Sequence, residues 1–258
     1  MALAAAALAH AGVCAAEDDG IVTDRPDFVE SSNVVGKGRF QVETSMLVER
    51  DRKPDTRDRT LSTPTLLRYG AGDNWELRLE TDGRTVARST DVATGTRSTT
   101  AGYADTSLGL KWHVLDDAGN MPSVGVLLHA DLASGSRELR GSGVRPSLRL
   151  VAEWELPQEL SLGVMPGVGV EKDDSGKRYQ YGILGVVLGK SFSDRTRGFV
   201  ELSLPQVARA AHGGTVSSFD VGGAYLITKN CQVDAMLARG LNRNTPDWSF
   251  TVGLSFKL

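Results

Sequence analysis

The chain has 258 residues, a formal net charge of −3 and 40% hydrophobic residues. This small charge argues against a nucleic-acid partner, because such partners need a strongly positive surface. No apolar run of about 18 residues follows the N-terminal stretch, which excludes a helical membrane protein. One large domain or one closed barrel remains.

Residues 1–16 are small, apolar and rich in alanine, and an acidic run follows them directly. This order predicts a secretory signal peptide cleaved after Ala16. A lipoprotein acceptor at Cys14 stays open as an alternative. Once the signal is cut, Cys231 is the one cysteine left, so we expect no disulfide within the chain and no cysteine-based metal site.

A polar lead without a clear period follows at residues 17–38. Two placements are open: a periplasmic tail, or a segment that plugs the lumen, with Arg25 paired to carboxylates there. The predicted organisation is therefore a signal peptide at residues 1–16, this lead at 17–38, and one membrane domain at 39–258.

Apolar and polar residues alternate from Arg39 to the last residue. Strict alternation gives a strand one apolar face and one polar face. The last segment carries aromatic residues on its apolar face, which is typical of the closing strand of an outer-membrane barrel. The predicted strands are Arg39–Glu49, Thr60–Tyr69, Trp75–Glu80, Asp105–Leu115, Pro122–Leu132, Arg145–Leu156, Leu160–Val170, Arg178–Ser191, Arg197–Leu204, Val216–Ile227, Gln232–Ala238 and Asp247–Leu258.

The connections between these twelve strands alternate in length. They are short after even-numbered strands and long after odd-numbered ones, with Arg50–Arg59 and Asp82–Ala104 among the long loops. This sorting predicts an all-β, transmembrane, antiparallel up-and-down barrel with both termini in the periplasm. An even strand number closes the sheet without a free edge. A soluble β-sandwich, the alternative fold, gives no reason for such sorting.

The polar face of each strand lines the lumen in this barrel, because a charged residue at the lipid midplane costs about 2–4 kcal/mol. The charged groups either brace the lumen as a salt-bridge network or form a constriction that orients a solute, and the two roles are compatible. The residues predicted to contact the solute are Glu43, Arg68, Arg78, Glu80, Lys111, His113, His129, Asp131 and Arg149. The candidates for interfacial anchoring are Phe40, Trp75, Trp112, Trp154 and Trp248.

No catalytic constellation stands out, and we predict that the chain is not an enzyme. A lipid hydrolase is the alternative, and it would need Ser107 or Ser147 beside His113 or His129. A metal site made by the two histidines and Asp131 is weaker than a neutral polar network. The glycines lack the lysine and helix of a phosphate-binding loop, so no cofactor is expected.

Three blocks resemble a known family. TDRPDFVES at residues 23–31 and GRFQVE at 38–43 resemble the opening blocks of the outer-membrane transporter family named for a MetA pathway of phenol degradation. LRYG at 67–70, followed by NWELR at 74–78, is similar to that family's next hairpin. The resemblance implies an outer-membrane barrel that passes small, often hydrophobic or aromatic compounds. The chain ends in Leu258 where the family usually has an aromatic residue.

We therefore predict a monomeric outer-membrane channel for passive uptake of small molecules, which include hydrophobic or aromatic ones. The expected partners are outer-membrane lipid, the small-molecule solute, and the barrel-assembly machinery, which would recognise the C-terminal strand. At twelve strands the bore should be narrow. A structural barrel with a plugged lumen is the second alternative.

Overall fold

The computed structural model describes residues 20–173 and 175–258, so the predicted signal peptide lies outside the described residues. Within those residues, no helix has the length and apolar content needed to cross a bilayer. The strands are β1 (Phe40–Arg52), β2 (Thr56–Ser62), β3 (Thr65–Gly70), β4 (Trp75–Thr81), β5 (Arg84–Asp91), β6 (Arg97–Tyr103), β7 (Thr106–Leu115), β8 (Ser123–Leu132), β9 (Arg145–Leu156), β10 (Leu160–Lys172), β11 (Arg178–Ser193), β12 (Thr196–Val207), β13 (Val216–Thr228), β14 (Cys231–Gly240) and β15 (Trp248–Lys257).

Pairing between β1 and β15 closes the sheet into a barrel. Three long strands are each broken into two pieces: β2 with β3, β4 with β5, and β6 with β7. Pro64 interrupts the first because it has no N–H to donate, and Gly83 interrupts the second with a φ of 63°. Counting each broken strand once gives twelve, so the predicted antiparallel twelve-stranded barrel is confirmed.

Two of the predicted long loops are wrong. In place of loops at Arg50–Arg59 and Asp82–Ala104, the structure continues β1 and β2 and folds β5 and β6 into a hairpin. Residues 50–62 and 84–103 thus form a four-stranded sheet extension beyond the barrel. Its residues are polar on both faces, because the extension stands in water above the lipid band, so no apolar alternation marks it.

The turn of the extension between β5 and β6 is held by a local hydrogen-bond cap. The backbone N–H of Thr94 donates to the Asp91 carboxylate at 2.7 Å, and the Thr94 hydroxyl donates to it at 2.8 Å. The backbone bond is the larger cause that lowers the pKa of Asp91 below its ordinary value. The carboxylate therefore stays ionised at the tip of the extension.

The outer surface of the barrel carries the apolar parity that the sequence predicted. On β15, Trp248, Phe250, Val252 and Leu254 are all 41–49% exposed, as expected of side chains that face lipid. Near the opposite end, the rings of Trp75 and Trp112 stack with centroids 5.2 Å apart. These aromatic residues at both edges of the apolar band fit the predicted interfacial anchoring.

The inner surface is not uniformly polar, which corrects the prediction. An apolar cluster lies inside the barrel and is contributed by one residue from each of β8, β9, β10, β11 and β12: Leu127, Val151, Met165, Val187 and Phe199. The densest group of buried charged residues lies on the other side, on β1, β3, β4 and β7: Glu43, Arg68, Glu76, Arg78 and Lys111. The lumen therefore has a charged wall and an apolar wall.

We expect Val252→Arg to lower the free energy of unfolding by about 2–4 kcal/mol, because it places a cation on the lipid face near the middle of β15. Val92→Arg is the matched control, since Val92 is exposed in the turn of the extension. Urea unfolding from phospholipid vesicles measures both variants. Equal losses would contradict the assignment of the lipid-facing parity.

Candidate functional site

Residues 20–37 lie inside the barrel, and we call them the luminal segment. The segment enters where the Ile21 N–H donates to the Lys229 carbonyl at 2.7 Å. It leaves where the Gly38 N–H donates to the Gly70 carbonyl at 2.8 Å. Both contacts lie at the end of the barrel that has the short turns. The segment therefore rises into the lumen and returns to the same end.

Asp24 lies at the centre of the contacts between the segment and the charged wall. Its carboxylate is 2.5 Å from the Arg78 guanidinium, 2.8 Å from the Lys111 ammonium and 3.5 Å from the Arg68 guanidinium. The Asp24 backbone N–H also donates to the Glu43 carboxylate at 3.0 Å. All these groups are buried, so one carboxylate of the segment serves three buried cations of the wall.

Arg68 completes this network on the wall itself. Its guanidinium pairs with Glu76 at 2.7 Å and Glu43 at 2.9 Å. It also donates to the Val22 carbonyl at 2.9 Å and to the Asn33 carbonyl at 3.0 Å. Arg68 is therefore bonded to both arms of the luminal segment and holds them together.

Three further charged residues of the segment form ion pairs with the strands. Arg25 pairs with Asp234 of β14 at 3.1 Å. Asp27 pairs with Arg197 of β12 at 3.0 Å. Glu30 pairs with Arg78 at 2.7 Å and with Arg149 of β9. Arg25, Asp27 and Glu30 of the segment thus each have a partner of opposite charge on the wall.

Carboxylates of the wall also accept backbone N–H groups of the segment. Glu201 accepts those of Phe28 at 2.8 Å and Val29 at 2.7 Å, and Glu153 accepts that of Ser32 at 2.6 Å. An irregular chain has no ladder of its own, so its buried N–H groups need such acceptors. The strand carboxylates supply them.

The apolar wall receives Phe28 and Val29. Val29 is buried in the cluster with Val187 and Met165, and Phe28 packs against it. A Cβ atom at Gly185 would meet Val29 Cγ2 at 2.6 Å, so the segment lies directly on the glycine backbone. The segment therefore places apolar side chains against the apolar wall and charged side chains against the charged wall.

The structure places the nine predicted solute-contacting residues on the inner side of the barrel. Six of them contact the luminal segment: Glu43, Arg68, Arg78, Lys111, His113 and Arg149. Arg68 and Lys111 are fully buried, so they hold the segment and do not face an open path. Glu80, Asp131 and Arg149 line a cavity, and their contact with a solute stays a prediction.

The histidines do not form the pairs that a hydrolase needs. His113 contacts the Ser32 carbonyl at 3.1 Å and the Asp116 carboxylate at 2.9 Å. His129 lies 3.0 Å from Glu80. In residues 20–173 and 175–258, no serine hydroxyl hydrogen-bonds to either ring. The hydrolase alternative therefore has no Ser–His pair in the described chain.

Among residues 20–173 and 175–258, one cluster has the geometry to hold a metal ion. Ligand atoms of Glu30, Glu80 and His129 lie within 4.8 Å of one another. However, Arg78 pairs with both glutamates, at 2.7 Å and 2.9 Å, and Arg149 also pairs with Glu30. Two guanidinium groups already neutralise these carboxylates, so the cluster suits a salt-bridge network better than a cation.

Two cavities flank the luminal segment. A cavity of about 430 Å³ opens toward the sheet extension and is lined by Phe28, Glu30, Asp131, Arg149 and other residues. A second cavity of about 330 Å³ lies toward the short turns. Asp27 lines both. The stretch around Asp27 is therefore the partition between the two spaces.

We expect Gly125→Ala to loosen the luminal segment, because its Cβ atom would lie 2.9 Å from the Ser32 backbone. With Ser31→Cys as a reporter and Cys231 replaced by serine, maleimide labelling should become faster. Gly182→Ala is the control, since its Cβ atom would make only an ordinary 3.5 Å contact with Val207. Unchanged labelling in the Gly125 variant would show that the segment is not seated as described.

Residues 23–258 match the profile of the family described as "Putative MetA-pathway of phenol degradation". The chain belongs to this family. The resemblance predicted from the TDRPDFVES and GRFQVE blocks is confirmed. No protein with a curated description matches the sequence.

Solved structures support the same fold. An outer membrane channel from Pseudomonas putida F1 is 13% identical, with 90% of this chain and 99% of that chain covered and a TM-score of 0.65. The β domain of the Bordetella autotransporter BrkA is 12% identical, covering 84% and 98%, with a TM-score of 0.55. The NanC porin is 13% identical, covering 85% and 100%, with a TM-score of 0.52. These likenesses show the fold, a closed antiparallel barrel.

Proposed function

We propose that the chain is a passive outer-membrane channel for small aromatic solutes, and that the luminal segment controls passage through it. The observation that carries this proposal is the pair of cavities that flank the luminal segment and share Asp27 in their linings. A barrel built only for structural support has no need of a solvent-filled space on each side of a thin partition. The family's description and the channel from Pseudomonas putida support the same role.

The lining of the larger cavity supports an aromatic solute with one polar group. Phe28, Leu66 and Leu139 offer apolar surface, while Asp131 and Arg149 offer hydrogen-bonding groups. A phenol-like molecule has a flat apolar ring and one hydroxyl, and it can use both kinds of surface at once. A sugar would leave the apolar surface without a partner. The chemistry of the cavity therefore favours the aromatic solute.

Passage requires the partition to move. The segment is held mainly by ion pairs and by hydrogen bonds to carboxylates, and water can replace both when the segment shifts within a hydrated lumen. The long connections and the sheet extension face the exterior in this proposal, and both termini face the periplasm. The chain acts as a monomer, and the barrel-assembly machinery recognises its C-terminal strand.

Uptake by cells tests the proposal. Cells that express the chain should take up a labelled phenol faster than vector controls, whereas uptake of a disaccharide should stay at the control level. No increase for either solute would favour a plugged structural barrel. Phospholipid cleavage by the purified chain that is lost on His113→Ala or His129→Ala would instead favour the hydrolase.

A reversible lock tests whether the segment controls passage. The Ser32 and Ser123 hydroxyl oxygens are 2.7 Å apart, so cysteines at both positions can join the segment to β8. In a background with Cys231 replaced by serine, phenol uptake should stop under oxidising conditions and return after reduction. The single Ser123→Cys variant is the control. Uptake that continues through the oxidised, locked chain would contradict control by the segment.

A further inference from the structure

The outward face of the sheet extension is rich in arginine. The side chains on this face share the parity of Val48 and Trp248, which belong to the apolar outer surface. Seven arginines lie on it: Arg50, Arg52, Arg57, Arg59, Arg84, Arg88 and Arg97. All seven are exposed. We call this surface the arginine face.

Charges are sorted between the two faces of the extension. The acidic residues lie on the inward face, where Asp51 and Asp58 pair with Lys53 at 3.1 Å and 3.9 Å. Among the described residues, none of the seven arginines forms a salt bridge. Their cations therefore have no carboxylate partner within the described chain.

Without a bound anion, the arginines that lie opposite each other on the arginine face destabilise the sheet. Arg50 lies opposite Arg59, and Arg59 lies opposite Arg88, so three guanidinium groups form a row across three strands. Arg52 lies opposite Arg57 in the same way. Like charges directly opposite each other destabilise a sheet unless an anion lies between them. An anion from outside the chain would therefore stabilise this row of arginines.

The face begins where the apolar band ends. Ten residues separate Phe40 from Arg50 on β1, which at about 3.4 Å per residue and a tilt of about 40° is ~26 Å, close to the ~25 Å band of such barrels. Trp248, which pairs with Arg50, marks this level and lies under Arg239 at 4.9 Å. At the base of β5 and β6, Tyr103 lies under Arg84 at 5.8 Å. The remaining arginines of the face lie at the level of Arg50 or nearer the tip of the extension: Arg52, Arg57, Arg59, Arg88 and Arg97.

A phosphate group fits the chemistry and the space. Arg57, Arg59, Arg88 and Arg97 line an open cleft of about 420 Å³, together with Thr90 and Thr99. A guanidinium binds phosphate oxygens through two parallel N–H groups, and threonine hydroxyls can donate to the remaining oxygens. At the level of the membrane surface, phosphates are carried by lipid head groups.

We propose that the arginine face binds the phosphate groups of a phosphorylated glycolipid in the outer leaflet of the membrane. The proposal rests on the orientation given above, which points the extension toward the exterior. Bound lipid would hold the extension against the membrane surface and would neutralise the row of arginines. The lipid would contact only the outer wall and would leave the lumen untouched.

Binding of lipid A in detergent tests the proposal. The purified full chain should bind lipid A with two phosphates, and the triple variant Arg57→Gln, Arg59→Gln, Arg88→Gln should bind it about 100-fold more weakly. The triple variant Arg140→Gln, Arg178→Gln, Arg243→Gln removes the same charge from exposed residues elsewhere, and its affinity should stay unchanged. Replacing the first three arginines by lysine should retain part of the affinity, because charge remains while the paired N–H geometry is lost.

Several outcomes would overturn the proposal. These are equal affinity of the first variant and the unaltered chain, an equal loss in both triple variants, or equal binding of lipid A stripped of its phosphates. Displacement of the lipid by millimolar inorganic phosphate would assign the face to free anions instead. Uptake of phenol by the same variants should remain normal. Lipid binding and phenol uptake are measured separately. Binding of lipid A by a chain that takes up no phenol would support this proposal and contradict the proposed channel function, so the two failures are distinguishable.

Discussion

Removal of residues 20–37 should convert a nearly closed barrel into an open channel. The luminal segment lies between cavities of about 430 Å³ and 330 Å³, and we expect its removal to join them into one continuous bore. The barrel should still close, because β1 pairs with β15 independently of the segment. In planar bilayers we expect the single-channel conductance to rise by an order of magnitude or more.

A synthetic peptide of residues 20–37 provides the control for this deletion. Added to the open channel from the short-turn side, it should restore part of the block, whereas a scrambled peptide of equal charge should not. The order of charges matters here, because each carboxylate meets its own set of cations. Asp24 pairs with Arg78, Lys111 and Arg68, Asp27 with Arg197, and Glu30 with Arg78 and Arg149. A deletion variant with unchanged conductance would show that another element closes the bore.

The barrel itself was predictable from parity. On β15, Trp248, Phe250 and Val252 face the lipid, and the residues between them face the lumen. Two solvents on the two sides of one sheet impose alternation on every strand that crosses the membrane. The number of strands can therefore be predicted from the alternation. The lengths of the connections predict which end of the barrel has the short turns and which has the long loops.

The sheet extension was not predictable by the same logic. On β5, RTVARSTD has polar residues on both parities, since water lies on both sides there. Apolar and polar residues alternate only where the two faces of a strand meet different environments, so the pattern is absent when both faces meet water. Arginine spacing at Arg57 and Arg59, with Arg84 and Arg88, was the remaining signal of strands.

The luminal segment left a different trace in the strands. Inward carboxylates outnumber inward arginines and lysines, and a salt-bridge network alone cannot explain the surplus. The structure shows that Glu153 and Glu201 accept backbone N–H groups of the segment. An unexplained surplus of acceptors on an inner wall thus predicts an irregular segment inside it. The apolar cluster at Val187, against which the segment packs, could not be predicted, because β11 has apolar residues on both faces.

Asp24→Asn should release the luminal segment, although it replaces only one oxygen atom by an amide nitrogen. Asp24 lies 2.5 Å from Arg78, 2.8 Å from Lys111 and 3.5 Å from Arg68. Without its charge, Lys111 loses the carboxylate that lies within ion-pair distance of it and keeps its hydrogen bonds to the Ser31 and Asn33 carbonyls, which cannot balance a buried ammonium. Breaking a buried pair in this way costs about 3–5 kcal/mol.

This loss acts on the closed state alone, because in the open state water hydrates the three cations. A change of about 3 kcal/mol raises the ratio of open to closed channel about 100-fold. Single-channel recordings measure that ratio directly as the fraction of time spent open. The lock between residues 32 and 123 should reverse the effect when oxidised, since it holds the segment closed without the Asp24 charge.

Asp27→Asn is the matched control, because the same replacement three residues along removes a weaker contact. Asp27 pairs with one cation, Arg197, whose side chain is 33% exposed and therefore partly screened by water. Arg197 also keeps its 2.7 Å hydrogen bond to the Arg25 carbonyl. The open fraction should change little in this variant. An equal rise in both variants would mean that the three-cation site at Asp24 does not hold the channel shut.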